Sequence, residues 1–593
     1  MVTEEQHASE PAVPVRSRHA ILAFIGLLGS FLILYFVTTS TESGDTLRYA
    51  GDVVHHARGE SVQFWEFGHL LWRPWGYVGL KSLGSWFQER FGDSDVQAVA
   101  RFFVLTNFVC CLATLFLIWD LLRRLVSIRL ATLVVIAFCG ANCFLDYLAL
   151  GSAYLPALCF ECLGLWLLSK ASEHAKQSLA WTSMAGVSYA LSVLLWFPYI
   201  FAGGGMLLFL LLWPLNEGNQ RRTAPQWSAK IPQAATFLVA LAVTYAGVLG
   251  AGAAANGVHG AAQFKQWIVD SDSGWSQHLN LVRAATGVPR SLYELASDTI
   301  LLKRWFFHDS YNPVHISELA GALFLKLALF YVGMAALLWI LARERSARPA
   351  FAVLLGASVP LLFFAVVVFE PGSTSRYLPL LPFLYLAAAV ALATGSTRRI
   401  AYAGIIVLLT SALVFNVLTL TRGASASASE VHRERNLLDQ RITGHAIVFI
   451  PTLHDAFYEV PLTRPLDHGL FSSKYATLDI VEVASSRLLH WRAEFADRVL
   501  NAWQEGQEVW ISRRVYAERP HADWTWVEGD DPRIRWAELP PFFQQFQTDL
   551  SLNSGQEGFV RLAKIPSNES LLGRLLAEDP KYSHQNLKRL SVE

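Results

Sequence analysis

Charged residues are scarce in this chain of 593 residues: only 16% are Asp, Glu, Lys or Arg, whereas 53% are hydrophobic. Soluble domains carry about 25% charged residues, so the composition excludes a large water-soluble enzyme. The 48 basic residues balance the 48 acidic ones, and the chain therefore lacks the positive excess that favours nucleic-acid binding. Only a lipid bilayer accommodates this much apolar sequence.

Several signatures of other protein classes are also missing. The chain has no glycine-rich phosphate loop and no nucleophile elbow in its polar C-terminal part, and it shows no internal repeat of the kind found in many transporters. All six cysteines fall within apolar segments and lack the spacing of metal ligands with histidines: Cys110, Cys111, Cys139, Cys143, Cys159 and Cys162. We therefore predict no role for disulfides and assign no metal ligands.

Long hydrophobic runs are abundant. Runs of about 18–25 apolar residues match the length of helix that crosses ~30 Å of hydrocarbon. We predict eleven such helices, near residues 20–38, 101–121, 129–149, 152–169, 180–199, 200–214, 234–254, 318–342, 350–369, 377–394 and 399–419. The first run is too long for the core of a signal peptide and no small-residue cleavage site follows it, so we expect it to be retained.

Basic residues lie before the first predicted helix and in every second connection, which is the pattern of a cytoplasmic side. They are Arg16, Arg18, Arg123, Arg124, Arg129, Lys170, Lys176, Arg221, Arg222, Lys230, Arg343, Arg345, Arg348, Arg398 and Arg399. The alternation predicts two short helices around the tight turn at Phe197–Gly205. It also predicts a cytoplasmic N-terminus at 1–19 and a transmembrane domain at 20–421, with extracytoplasmic loops at 39–100 and 255–317. We expect the membrane to be a bacterial inner membrane.

The polar C-terminal part, residues 422–593, is predicted to lie in the periplasm. It opens with alternating Ala and Ser, a composition typical of a flexible link. Strand-like runs at His445–Pro451, Glu508–Ser512 and Gly558–Lys564 and a helix-like run at 483–503 indicate a small α/β domain. The predicted fold class is thus an α-helical polytopic membrane protein of about eleven transmembrane helices with a C-terminal extracytoplasmic α/β domain.

The first extracytoplasmic loop carries candidate functional residues. Asp45 follows the first predicted helix and precedes two amphipathic runs, 46–58 and 77–90, expected to lie in the membrane interface. A carboxylate there can accept a proton from a hydroxyl group, and it can also cap the following helix. His69 and Arg73 share a face if their segment is helical, and they diverge if Pro74 keeps it extended. Arg73 then either binds a phosphate or meets lipid headgroups, and both readings stay open.

Further candidates lie at the same predicted side and within the bilayer. Asp146 ends the third predicted helix, and Arg376, followed by Tyr377, opens a late helix where its charge opposes the helix dipole; a bound phosphate would explain that cation. Glu161 and Lys326 lie about 12–13 Å inside their helices, where a charge is costly alone. We predict that these two residues face one another or a common water-filled cleft, as a structural pair first.

Three segments together resemble the polytopic glycosyltransferases of the GT-C fold, which use polyprenyl-phosphate-linked sugars and include protein O-mannosyltransferases and the aminoarabinose transferase of lipid A. The segments are Gly44-Asp45-Thr-Leu-Arg-Tyr-Ala, His69-Leu-Leu-Trp-Arg-Pro-Trp-Gly-Tyr77 and Arg376-Tyr377-Leu-Pro-Leu-Leu-Pro382. The resemblance covers residues 20 to about 420, and a soluble extracytoplasmic tail also occurs in the group.

The resemblance implies roles for these residues. Asp45 corresponds to the catalytic acid of the first loop, with Asp146 as a second candidate. Arg376 and Tyr377, with Arg73 or His69, correspond to the groups that bind the donor phosphate. Where the group often has Asp-Glu, this chain has Asp45-Thr46, so one carboxylate of a possible metal-ligand pair is absent. No cofactor is assigned with certainty, and a divalent metal stays an open alternative.

The implied function is transfer of a sugar from a polyprenyl-phosphate donor to a hydroxyl group of a glycan, lipid or protein, with inversion. Three alternatives remain open: a glycan polymerase or ligase that uses diphosphate-linked oligosaccharides, a lipid-glycan flippase or transporter, and a non-catalytic assembly scaffold. A transporter would place its binding groups near the midplane of pseudo-symmetric halves, whereas the polar residues here gather in the extracytoplasmic loops.

Overall fold

The structure is a computed structural model. It describes residues 15–38, 46–60, 62, 64–91, 94–148, 150–173, 175–213, 227–271, 281–295, 301, 302, 304–306, 308, 313–368, 373–394, 399–442, 444–450, 475–479, 491–518, 536–554 and 557–577.

The N-terminal two thirds of the chain form a bundle of α-helices. Their bounds are α1 Val15–Val37, α2 Thr46–Ala57, α3 Trp72–Phe91, α4 Asp95–Leu122, α5 Ile128–Cys139, α6 Asn142–Leu148, α7 Tyr154–Glu173, α8 Ser178–Leu195, α9 Gly203–Leu212, α10 Trp227–Ala255, α11 Ala261–Asp270, α12 Leu281–Leu292, α13 Ile316–Arg343, α14 Arg348–Phe363, α15 Leu381–Ala393 and α16 Arg399–Arg441.

The apolar helices coincide with the eleven predicted runs. In the described residues, nine helices are long and apolar enough to cross a membrane. The run at 129–149 is a pair of helices, α5 and α6, bent by 64° at their junction, and the run at 200–214 corresponds to the shorter apolar segment Phe197–Leu212. The chain is therefore a polytopic membrane protein, and both departures from long straight helices occur where a helix is broken.

The first break separates α5 from α6 and is stabilised by Asn416 of α16. Its side-chain amide donates to the carbonyl oxygens of Gly140 (2.7 Å) and Leu292 (2.6 Å), and its carbonyl oxygen accepts from the Glu294 N–H (2.7 Å). Backbone groups released inside a membrane protein need such partners because no water replaces them. The short helix α6, which carries Asp146, is held in this way against the bundle.

The second break lies between α8 and α9 and reverses the chain. Helix α8 ends before Trp196, a 3₁₀ turn spans Phe197–Ala202, and α9 leads back to Leu210, whose carbonyl accepts from Lys230 (2.9 Å). Gly204 allows α9 to approach α14 closely, because a Cβ there would lie 2.5 Å from the Gly356 carbonyl oxygen. The two helices predicted around this turn are present.

Connections that are predicted to lie on the same side of the membrane meet at the same end of the helix bundle. At the predicted cytoplasmic end, Arg124 pairs with Glu173, and Lys230 donates to the Ser172 hydroxyl (3.2 Å). At the opposite end, the Gly151 carbonyl accepts from the Trp72 indole (3.1 Å). The alternation of basic connections therefore agrees with how these helix ends are grouped in space.

The first loop is folded into α2 and α3, as the amphipathic runs predict, and its centre is a buried ion-pair network. Arg73, 2% exposed, donates to Asp52 (2.7 Å) and to Glu66, and its guanidinium lies 4.6 Å from the centre of the Tyr49 ring. Burial works against the charge of Arg73, but attraction to Glu66, Tyr49 and Asp52 outweighs it and raises the arginine pKa.

This network gives Arg73 contacts that neither of its sequence-based roles included. Two carboxylates and an aromatic ring occupy its guanidinium, and its buried position keeps it from lipid headgroups. Arg73 therefore ties α3 to α2 and to the segment before α3. Its role as a phosphate-binding group stays a prediction, which these contacts do not support.

The C-terminal part contains a five-stranded sheet in the order β2-β1-β3-β5-β4. The elements are β1 Ala446–Ile450, β2 Tyr475–Asp479, α17 Trp491–Gln504, β3 Glu508–Ser512, α18 Leu539–Phe543, β4 Thr548–Ser554, β5 Glu557–Leu562 and α19 Pro566–Ala577. Strands β1, β2 and β3 are parallel, and β5 is antiparallel to β3 and β4. The predicted α/β domain is present, with two strands, β2 and β4, that the sequence pattern did not indicate.

The link to this domain differs from the prediction. Residues 424–429, whose Ala/Ser composition is typical of a flexible link, belong to the continuous helix α16, which ends at Arg441. At its end, Leu438 and Ile442 are buried against Val448, Trp510 and Phe559 of the sheet. Alanine is a strong helix former, and packing of the helix end on the domain adds to that preference.

We predict that Arg73→Gln lowers the stability of the folded protein by about 3–5 kcal/mol, because it leaves two carboxylates near each other without their cation. Thermal unfolding in detergent measures this as a clear fall in the midpoint temperature. The control is Arg58→Gln, since Arg58 forms an exposed pair with Asp95 at 3.6 Å and such pairs contribute at most about 1 kcal/mol. Equal midpoints for the two variants would contradict a stabilising role for the network.

Candidate functional site

The candidate site lies at the predicted extracytoplasmic end of the bundle, where the first loop meets the end of α8. The Leu71 N–H donates to the Leu194 carbonyl (3.4 Å), and Nδ1 of His69 donates to the Leu195 carbonyl (3.1 Å). Carbonyl groups in the last turn of a helix lack intrahelical partners. The first loop supplies those partners and is thereby fixed beside the next residue, Trp196.

The indole of Trp196 brings together two of the predicted site residues. His69 stacks on it with ring centres 4.4 Å apart and an angle of 5° between the planes. The guanidinium carbon of Arg376 lies 4.8 Å from the centre of the same indole, a distance typical of a cation–π contact. His69 and Arg376, separated by about 300 positions in the sequence, thus share one buried aromatic side chain.

Arg376 belongs to a 3₁₀ turn, Thr374–Leu380, that opens the span ending at Ala393. Its Nη1 donates to the Ser375 hydroxyl (2.9 Å), and the arginine is 8% exposed. Tyr377 is fully buried in the same turn. The cation therefore lies at the mouth of a helix, as the sequence predicts, and a neighbouring hydroxyl and an indole orient its planar guanidinium.

Helix α6, which carries Asp146, packs against this turn through Tyr147. The Tyr147 hydroxyl lies 3.1 Å from the Thr374 hydroxyl, within hydrogen-bond distance. Asp146 is fully buried, and its Oδ2 accepts from the Asn142 amide (3.0 Å). A carboxyl group held in this way supports the local structure more readily than it meets an incoming acceptor.

Tyr154 completes the aromatic cluster. Its ring centre lies 4.9 Å from that of Trp196, 5.6 Å from that of His69 and 4.7 Å from that of Tyr147. Tyr154 begins α7, directly after the link that contains Gly151. We name Trp196, His69, Tyr154, Tyr147 and Arg376 the Trp196 cluster.

The start of the first loop is anchored to the same link. The Thr46 hydroxyl accepts from the Gly151 N–H (2.9 Å), and a Cβ on Gly151 would lie only 2.6 Å from Thr46 Cγ2. Asp45, the predicted catalytic acid, directly precedes Thr46 in the sequence and lies outside the described residues.

The two deep charged residues do not form the predicted pair. Lys326 donates to the Glu294 carbonyl (2.8 Å) and lies 5.9 Å from the Phe415 ring centre. Glu161 is fully buried, and neither of its carboxylate oxygens has a hydrogen-bond partner in the part of the chain that the structure describes. The residues lie on helices with different neighbours: α7 packs on α4 and α8, whereas α13 packs on α16 and α12.

No group of three or more His, Cys, Asp or Glu side chains in the described ranges could hold a metal ion. The carboxylates of the first loop, Glu66 and Asp52, are engaged by Arg73. The donor groups that the structure describes therefore do not fit a divalent-metal site.

Sequence reasoning missed the most central residue of the cluster, Trp196. It occupies a C-terminal helix boundary in an apolar run, and nothing in the local pattern distinguishes it from the other nineteen tryptophans. The one available signal was the tight turn that follows it. The polar loops gather at one end of the bundle, and this turn is predicted to lie at that end. Trp196, the residue directly before the turn, is therefore expected near the loops.

Chemically, the cluster offers a fixed cation, a histidine whose Nδ1 proton is committed to a carbonyl, and several aromatic surfaces. Its side chains are largely buried, and burial strengthens the attraction between Arg376 and an anion relative to bulk water. Arginine presents several donors in one plane and matches phosphate oxygens well. The arrangement is suited to binding an anionic headgroup at the membrane surface.

No protein-family model and no curated protein matches this chain. Among solved structures, the chain is similar to ArnT from Cupriavidus metallidurans bound to undecaprenyl phosphate, with a TM-score of 0.48 and 12% identity over 93% of this chain and 99% of that one. The apo state of ArnT gives a TM-score of 0.47 and 12% identity, over 84% and 93% of the two chains.

The chain is also similar to the oligosaccharyltransferase of Archaeoglobus fulgidus in the apo form, with a TM-score of 0.44 and 13% identity over 87% of this chain and 72% of that one. ArnT and this oligosaccharyltransferase are polytopic membrane glycosyltransferases of the GT-C fold, the group whose motifs the sequence resembles.

Proposed function

We propose that this protein is a membrane glycosyltransferase that moves a sugar from a polyprenyl-phosphate donor to a hydroxyl acceptor at the extracytoplasmic face. The observation that carries the proposal is the contact of both His69 and Arg376 with the Trp196 indole. It joins the first loop, which begins with the candidate base, to the candidate phosphate-binding arginine.

In this mechanism Asp45 accepts the proton of the acceptor hydroxyl group as its oxygen attacks the anomeric carbon. A new carbon–oxygen bond forms while the bond from the anomeric carbon to the phosphate oxygen breaks, and polyprenyl phosphate leaves with the bonding electrons. Arg376 stabilises the negative charge on that leaving group. A single direct displacement inverts the anomeric configuration.

The choice of Asp45 over Asp146 as base rests on the burial of Asp146. Asp146 is fully buried with Asn142 as a partner, whereas an acceptor must reach the base within hydrogen-bond distance. Asp146 is then a positioning residue that supports α6 next to the turn of Arg376. The C-terminal domain, at the end of the continuous helix α16, has a positioning or acceptor-binding role in this proposal.

The proposed location is a bacterial inner membrane, with the N-terminus in the cytoplasm and the C-terminal domain in the periplasm. The grouping of the basic connections at one end of the bundle supports it, because positive residues mark the cytoplasmic side. The Trp196 cluster lies at the opposite end.

Arg376→Gln is expected to lower the rate of sugar transfer by about 10²–10³-fold, because the charge on the leaving phosphate loses its main stabilising group. Arg376→Lys keeps the charge but loses the planar set of donors and should recover only part of the rate. The measurement is single-turnover transfer from defined polyprenyl-monophosphate sugars, with diphosphate donors tested in parallel.

The control for Arg376 is Arg343→Gln, since Arg343 also lies over an indole, that of Trp339 at 4.7 Å, in the last turn of α13. This variant should transfer sugar at the normal rate. Full activity of Arg376→Gln would contradict the assigned role, and turnover of diphosphate donors alone would favour the polymerase or ligase alternative.

Asp45→Asn should bind the donor normally but lose at least about 10²-fold in the transfer step, because the amide cannot accept the acceptor proton. Asp146→Asn is isosteric and should retain most of the rate. Asp270→Asn, an exposed change at the end of α11, serves as the control. A severe loss for Asp146→Asn with normal turnover for Asp45→Asn would exchange the two roles.

A further inference from the structure

The indole N–H of Trp196 has an unusual environment for a buried tryptophan. Trp196 is 5% exposed, yet its Nε1 has no hydrogen-bond acceptor in the part of the chain that the structure describes. Other indoles in the bundle do have acceptors: Trp72 donates to the Gly151 carbonyl, Trp267 to the Trp65 carbonyl (2.8 Å) and Trp119 to the Thr132 hydroxyl (3.1 Å).

A buried donor without an acceptor is unfavourable, and such groups in folded proteins usually have a protein or water partner. The exception at Trp196 coincides with the point where a candidate phosphate-binding arginine and a histidine of the first loop contact the same ring. The indole N–H of Trp196 and the guanidinium of Arg376 therefore belong to one site. Both groups are complementary to an oxyanion.

We infer that Trp196 is a donor-binding residue whose Nε1–H donates a hydrogen bond to a phosphate oxygen of the lipid-linked sugar, while its ring fixes the orientation of Arg376. The inference rests on the proposed function, because it assigns a new residue to the same phosphate. Arg376 supplies the charge, and the indole supplies a directional neutral donor.

This assignment explains why an aromatic residue with an N–H group stands at the end of α8. Phenylalanine would present a ring face to Arg376 and His69 but no donor, and leucine would present neither. Comparison of tryptophan, phenylalanine and leucine at position 196 thus separates two contributions of Trp196, its stacking surface and its hydrogen bond.

The test compares Trp196→Phe with the wild type for binding of undecaprenyl phosphate and of undecaprenol. Both are measured on the full chain in phosphatidylcholine nanodiscs, so that phosphodiester headgroups are present in excess throughout. Loss of a hydrogen bond to a charged group corresponds to about a tenfold loss of affinity. We expect that loss for undecaprenyl phosphate and no change for undecaprenol.

The matched control is Trp119→Phe. Trp119 is also buried and also carries an arginine over its ring, Arg123 at 5.0 Å. It lies near the C-terminal end of α4, at the predicted cytoplasmic end of the bundle. The Trp119→Phe variant should bind undecaprenyl phosphate and undecaprenol with unchanged affinity. Thermal unfolding of each variant reports whether the fold is retained. Trp196→Leu should weaken phosphate binding further than Trp196→Phe, because Arg376 also loses its supporting surface.

The possible results distinguish the two levels of the proposal. If the wild type prefers undecaprenyl phosphate to undecaprenol and Trp196→Phe keeps that preference in full, the hydrogen bond is overturned while the proposed function stands. If Trp196→Phe weakens both ligands equally, the residue is merely structural and the inference is also overturned. If the wild type binds both lipids equally well, the proposed donor class itself is wrong.

Discussion

Backbone groups released at a helix break inside a bilayer must find partners within the protein, and this constraint organises the whole site. The chain breaks its membrane helices at Gly140 and at Trp196. The first break is satisfied by Asn416 of a distant helix, and the second by Leu71 and His69 of the first loop. The hydrogen bonds at each break join segments that are remote in sequence. The candidate site lies at the second break, where the first loop meets the end of α8.

Two buried arginines at the predicted extracytoplasmic end have different surroundings. Arg73 lies within the first loop, and two carboxylates of that loop complete its hydrogen bonds. Arg376 lies at the mouth of a helix, where an indole face and a hydroxyl group contact its guanidinium. The indole face and the hydroxyl group fix the plane of the Arg376 guanidinium.

Much of the fold was predictable because hydrophobic length and loop charge are local signals. The eleven apolar runs, the helices at 46–58 and 77–90 and the strand Glu508–Ser512 follow from composition within a few residues. The partner of Lys326 was not predictable, because a depth estimate places a charge along a helix but does not say which neighbouring helix it faces. For the same reason the sequence singled out Arg376 and His69 but not Trp196, whose role depends on contacts formed only after the chain reverses.

Burial of the Trp196 cluster also bears on the chemistry. A sugar attached to a phosphate is activated for displacement, and water competes with the intended acceptor. In the proposed transfer reaction, a site that excludes water would limit hydrolysis and strengthen the attraction between Arg376 and the charge that develops on the departing phosphate. These benefits require the cation to be held before the donor arrives, since reorienting a long side chain during the reaction would add to the barrier. The indole and the Ser375 hydroxyl hold Arg376 in this position. The indole is itself fixed by His69, which stacks on it and donates to the Leu195 carbonyl at the helix break.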